Sequence, residues 1–139
     1  METVKCRVTG VSMLPVLKPG QTVLCAAINP KDILPGDICV FSHKNRILIH
    51  RLIYLEKDCL FFSGDNRLFF EFVPEREKSL IKYRLKTRFR RGPFSLFFCF
   101  LKKRLLNSGI KNSKLMLRVL KLIILIDNLF NPVLKNGQR

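Results

Sequence analysis

Between Val4 and Val8 the apolar positions alternate with Lys5 and Arg7, a period of two that predicts a short, half-buried strand. Pro19-Gly20 makes a turn, and the β-branched, apolar run from Thr22 to Ile28 predicts a second strand. Asn29-Pro30 and Pro35-Gly36 bracket a loop. Ile38–Ser42, Arg46–Leu55 and Cys59–Ser63 then read as three further strands, the first two joined by the polar turn His43-Lys44-Asn45. Leu68 to Val73 is aromatic-rich and is ended by Pro74, and Glu75 to Lys86 is polar and ambiguous. Short strands at close spacing, punctuated by Gly and Pro, predict a mainly β fold: a small sheet or partly closed barrel.

Beyond Thr87 the pattern changes. Arg88-Phe89-Arg90-Arg91 is a basic run, Pro93 opens the nearly all-apolar stretch Phe94 to Leu101, and Lys102-Lys103-Arg104 closes it. After Asn107-Ser108-Gly109, Lys114 to Phe130 reads as one helix. Lys111, Lys114, Arg118 and Lys121 recur every three or four residues on one face, while Leu115, Leu117, Leu120, Leu122 and Ile124 cover most of the rest. Charge draws nearly the same boundary: residues 1–81 hold 11 Lys/Arg against 9 Asp/Glu, whereas 82–139 hold 15 against the single acid Asp127. The expected organisation is a β domain over 1–87 and a basic, partly helical extension over 88–139.

No apolar run reaches the roughly 18–20 residues that spanning a bilayer needs, and Met1 to Thr9 lacks the apolar segment of a signal peptide. The extension is then either an amphipathic helix lying in an anionic membrane surface or a helix packed on the β domain with its basic stripe in water. The corresponding location is membrane-associated or cytoplasmic. Its cations alternate with long aliphatic runs, which argues against a nucleic-acid partner. Cys6, Cys25, Cys39, Cys59 and Cys99 stand singly, with no C-x-x-C and no nearby histidine pair. That spacing predicts reduced, buried thiols rather than a metal site, and no cofactor is expected.

The candidate chemistry starts at Gly10-Val11-Ser12-Met13-Leu14-Pro15. Gly10 permits backbone angles that other residues resist, and Pro15 holds its own φ and keeps Leu14 out of the helical region, so Ser12 sits at a bend. Three boxes follow in order: Pro35-Gly36-Asp37-Ile38-Cys39-Val40-Phe41, Ile49-His50-Arg51-Leu52-Ile53 and Gly64-Asp65-Asn66. The order G-x-S-M-x-P, P-G-D-x-x-V-F, I-H-R-[LV]-I, G-D-N resembles the signal peptidase and repressor-cleavage superfamily of serine endopeptidases, in its histidine-base form, from roughly Val4 to Leu85. The family's returning strand carries an I-x-G-[KR]-V pattern; here Lys82 or Tyr83 stands where that glycine falls.

The resemblance implies a β-fold peptidase with Ser12 as nucleophile and His50 as the base that takes its proton. An apolar setting among Ile49, Leu52 and Ile53 favours the neutral, proton-accepting imidazole. Asp65 matches an acid of the last box, and Glu71 stands where histidine-type members carry a further acid; either is a candidate to orient His50. Some relatives place a hydroxyl two residues before the nucleophile. Here that position is Gly10, which leaves backbone N–H groups near Ser12 and Met13 for the oxyanion. Pro15, Asp37, Arg51 and Asn66 are candidates for fold or substrate support. The expected partner is a peptide or protein substrate, as for a signal peptidase. A non-catalytic membrane-surface module that keeps the fold, and a self-cleaving repressor-type relative, remain as alternatives.

Overall fold

The computed structural model describes residues 2–88, 92, 94–108 and 114–135. Phe89 to Arg91 of the basic run, Pro93, Gly109 and Lys111 of the helical stripe lie outside the described residues. Among the described residues, seven strands, β1 (Thr3–Arg7), β2 (Thr22–Ala27), β3 (Ile38–His43), β4 (Arg46–Glu56), β5 (Cys59–Ser63), β6 (Glu71–Pro74) and β7 (Ile81–Leu85), precede two helices, α1 (Ser95–Asn107) and α2 (Lys114–Phe130). The strands form one antiparallel sheet in the order β1-β2-β7-β3-β4-β5-β6, open at β1 and β6. The mainly β expectation holds, as an open sheet rather than a closed barrel.

Local chemistry accounts for the hairpins. Lys44 and Asn45 between β3 and β4 take φ values of 47° and 61°, the left-handed pair whose twist matches that of the flanking strands. The continuous apolar run of β3 is buried on both faces: Ile38 and Val40 join one core cluster, Cys39 and Phe41 the other. Two stretches that the sequence leaves open take definite form. Leu68 to Phe70 stay in a loop, where the Ser63 hydroxyl donates to the Phe69 carbonyl at 2.7 Å, so β6 begins at Glu71. The ambiguous polar stretch contributes β7, which inserts between β2 and β3 through Cys25↔Leu85 and Phe41↔Ile81.

The core runs across the boundary expected at Thr87. Phe98, Cys99, Leu105, Leu120, Ile124 and Val133 belong to the same cluster as Val8, Met13, Val16 and Leu17. Residues after α2 also join the backbone network: Leu24 N–H donates to the Leu134 carbonyl at 3.0 Å, and Leu134 N–H to the Lys86 carbonyl at 2.8 Å. Burying one Phe or Leu is worth about 1.5–3 kcal/mol. Phe98, Leu120 and Ile124 together therefore rival the ~5–15 kcal/mol that stabilises a small domain. Among the described residues, no helix is long and apolar enough to cross a membrane.

The thiols are not all isolated. Cys6 and Cys25, both free, touch across β1 and β2 with their sulfurs 2.9 Å apart. Burial and the hydrogen bond that the Cys25 thiol donates to the Cys6 sulfur push its pKa far above the ordinary value, so it stays protonated at neutral pH.

Candidate active site

Ser12 lies in the loop between β1 and β2. Val8 N–H donates to the Gln21 carbonyl at 2.9 Å and Gly20 N–H to the Val8 carbonyl at 2.7 Å, which closes the loop at its base. Met13, Val16 and Leu17 are buried and anchor it, leaving Ser12 half-buried and Gly10 exposed. Pro15 follows a cis Leu14–Pro15 peptide. The Gly64–Asn66 turn grips the loop: Asn66 donates its backbone N–H to the Ser12 carbonyl at 2.7 Å and its side-chain amide to the Val11 carbonyl at 3.1 Å. The Asp65 N–H points at the Met13 sulfur, 3.4 Å away. A Cβ at Gly64 would lie 2.6 Å from the Ser12 carbonyl oxygen, so only glycine allows this approach.

His50 comes from β4 and is 4% exposed. Its Nε2 is 2.9 Å from Ser12 Oγ, and its Nδ1 is 2.8 Å from the Glu71 carboxylate. The Phe41 ring meets the imidazole edge-on at 6.3 Å between centroids. Asp65 is placed elsewhere. It accepts from both Nε and Nη2 of Arg51 at 2.9 Å, while Arg51 Nη1 donates to the Gly36 carbonyl at 2.9 Å. Alternation along β4 sends His50 and Arg51 to opposite faces, so each finds a different carboxylate. Burial opposes the Arg51 charge, but the Asp65 carboxylate outweighs it and raises the guanidinium's pKa. Asp37 is buried in the neighbouring turn, accepting from Leu34 N–H at 2.9 Å with its other oxygen 3.7 Å from Arg84. Arg51, Asp65, Asp37 and Asn66 thus brace the turns around the Ser12–His50–Glu71 line.

A hydroxyl on an imidazole whose far nitrogen faces a carboxylate is the arrangement that lets a serine lose its proton. The Ser12 and Met13 backbone N–H groups have no hydrogen-bond acceptor among the described residues, which leaves them available to an incoming oxygen. A groove of about 360 Å³ runs beside Ser12, bounded by Arg7 to Gly10 on one side and Ile47 to His50 on the other. His43 is not at Ser12. It lines a second cavity of about 420 Å³ with Lys44, Arg46 and the Phe69–Phe72 segment. Among the described residues, no group of three His, Cys, Asp or Glu converges as a metal site would require.

One residue at the site escaped the sequence reasoning. Lys102, which reads as the end of an apolar run, is fully buried in α1 and donates to the Gly64 carbonyl. Its ammonium also lies 5.3 Å from the centre of the Phe98 ring. The available signal was its spacing: Phe98, Lys102, Leu105 and Leu106 share one helix face. Burial drives its pKa down to about 8 from 10.5, with Arg51 adding to the shift and Asp65 opposing it. Between those values the unfolded chain keeps a proton that the folded protein has lost, so stability rises with pH across that window and the gain is lost as pH falls through about 8. A Lys102→Met variant lacks this dependence. From pH 7.5 to 10.5 the wild type should gain on the variant by an amount on the order of 3 kcal/mol, at about 1.4 kcal/mol per pKa unit. Urea midpoints at successive pH values measure it; parallel curves would show that Lys102 titrates normally.

Compared with known proteins, residues 2–78 match the family model described as Peptidase S24-like. The match runs from β1 into the short 3₁₀ turn before β7, and so takes in Ser12, His50, Asp65 and Glu71. No curated protein and no solved structure matches the chain significantly.

Proposed function

Because this chain belongs to the Peptidase S24-like family of serine-peptidase-type hydrolases, we propose that it is an endopeptidase in which Ser12 attacks the scissile carbonyl and His50 is the general base. The observation that carries this reading is the unbroken line from Ser12 Oγ through His50 to the Glu71 carboxylate, at 2.9 and 2.8 Å. In the first step His50 Nε2 takes the hydroxyl proton as Oγ bonds to the carbonyl carbon. Nδ1–H donates to Glu71, which holds the accepting tautomer and stabilises the imidazolium. The Ser12 and Met13 N–H groups receive the oxyanion. His50 then returns the proton to the leaving amine, and water hydrolyses the acyl-serine by the same relay.

The groove beside Ser12 starts at Arg7, the last residue of the edge strand β1, and is open enough for an extended peptide segment, which makes a signal-peptidase-like cleavage of a peptide or small protein the favoured activity. Incubation of the full-length protein with a fluorophosphonate probe tests it. Label should appear on Ser12 and vanish in Ser12→Ala. An unlabelled wild type, beside a labelled control hydrolase, would overturn the reading. The family match favours a second reading, cleavage of the protein's own chain. A purified wild type whose intact mass stays constant on prolonged incubation excludes it.

A further inference from the structure

Surface helices ordinarily turn apolar side chains inward and polar ones outward. Here both helices break that rule. The inward face of α2 carries Leu120, Ile124 and Asp127, yet the ridge pointing directly away from the domain is also apolar. Leu115, Leu122 and Leu129 are 68%, 58% and 75% exposed. On α1, Phe97 and Phe100 are likewise more than half exposed. Phe94, just before α1, and Phe130, at the end of α2, meet at 6.2 Å between ring centroids, which joins the two apolar surfaces.

Cations flank this surface. Lys114 and Arg118 are exposed beside the leucine ridge, and the Arg104 guanidinium lies 5.8 Å from the centre of the Phe100 ring. The only acid on either helix is Asp127, which is buried and accepts from the Phe94 N–H at 2.8 Å. The exposed face therefore offers apolar bulk and positive charge with no compensating carboxylate among the described residues.

We infer that this face docks on the surface of an anionic lipid bilayer, with the Leu115–Leu122–Leu129 ridge and the Phe97 and Phe100 rings seated at the acyl boundary and Arg104, Lys114 and Arg118 at the headgroups. Charge complementarity selects the occupant. A second copy of the chain would bring two basic faces together. Nucleic acid would satisfy the cations but leave the aliphatic ridge against phosphates and sugars, with nothing to bury it. An anionic lipid surface satisfies both at once. Neither helix crosses, so the protein lies on the membrane. The inference is independent of the peptidase reading.

Co-sedimentation of the full-length protein with phosphatidylglycerol/phosphatidylcholine vesicles at low salt tests it. Wild type should pellet with the mixed vesicles and remain in the supernatant with pure phosphatidylcholine. Leu122→Asp with Leu129→Asp, two exposed positions, should abolish pelleting without changing the circular dichroism. Arg118→Glu should weaken it by roughly tenfold, and added salt should have a similar effect. Equal binding to both vesicle types, undiminished binding of the double aspartate variant, a stable dimer at low salt, or tighter binding to an oligonucleotide than to the mixed vesicles would each overturn the inference.

Discussion

Ser12→Ala and His50→Gln should each leave a folded protein whose peptide cleavage falls by roughly a million-fold, with the double variant no slower than either alone. The magnitude follows from the shared step. Groups that act as one unit are lost together when either is removed, and what remains is the rate supplied by binding and by the oxyanion donors. The geometry makes both variants clean. Ser12 is half-buried in a loop whose anchors are Met13, Val16 and Leu17 rather than the serine itself. Glutamine at 50 keeps most of the imidazole's volume against Phe41 but cannot accept a proton at neutral pH. Melting temperatures within a few degrees of the wild type, with the rate loss above, are the expected result. Measurable cleavage at the wild-type rate by either purified variant would remove the dyad from the mechanism.

The second large effect separates the two carboxylates. Glu71→Gln should lower kcat by about ten-thousand-fold with little change in stability. An amide N–H pointed at Nδ1 favours the tautomer whose proton sits on Nε2, where it can no longer receive one from Ser12. Asp65→Asn should behave in the opposite way. It leaves the buried Arg51 guanidinium with half of its partner, and breaking such a pair costs about 3–5 kcal/mol of stability. Its activity per folded molecule should fall far less than that of Glu71→Gln, because the turn it stabilises lies behind Ser12 and does not touch His50. Thermal denaturation and kcat measured on the same preparations distinguish the two. A large kcat loss in Asp65→Asn at unchanged melting temperature, beside an active Glu71→Gln, would reverse the assignment.

The strands and the residue types of the site were legible in the sequence because both depend on near neighbours. Pro-Gly turns, β-branched runs and the left-handed pair Lys44-Asn45 act over a few residues, so β1 to β5 stand close to where the pattern puts them. The bend at Ser12 and the strand around His50 are local in the same sense. What only the tertiary structure decided depends on contacts between distant segments. Within β4, parity separates His50 from Arg51. Which carboxylate each one meets is set instead by the cross-strand register, Arg51 opposite Ser63 and Phe62 opposite Glu71, with a shift between Leu52 and Tyr54. The placement of β7 beside β2 was equally hidden, since Ile81-Lys82-Tyr83-Arg84-Leu85 alternates as a strand does but the partners it pairs with lie far away in the chain. The burial of Lys102 carries the ordinary cost of a buried ammonium, visible in its lowered pKa, and the Gly64 carbonyl it reaches offsets part of that cost. The helical period of residues 114–130 was plain, but the helix is apolar on two sides. Packing of Leu120 and Ile124 into the core is what turned Leu115, Leu122 and Leu129 outward.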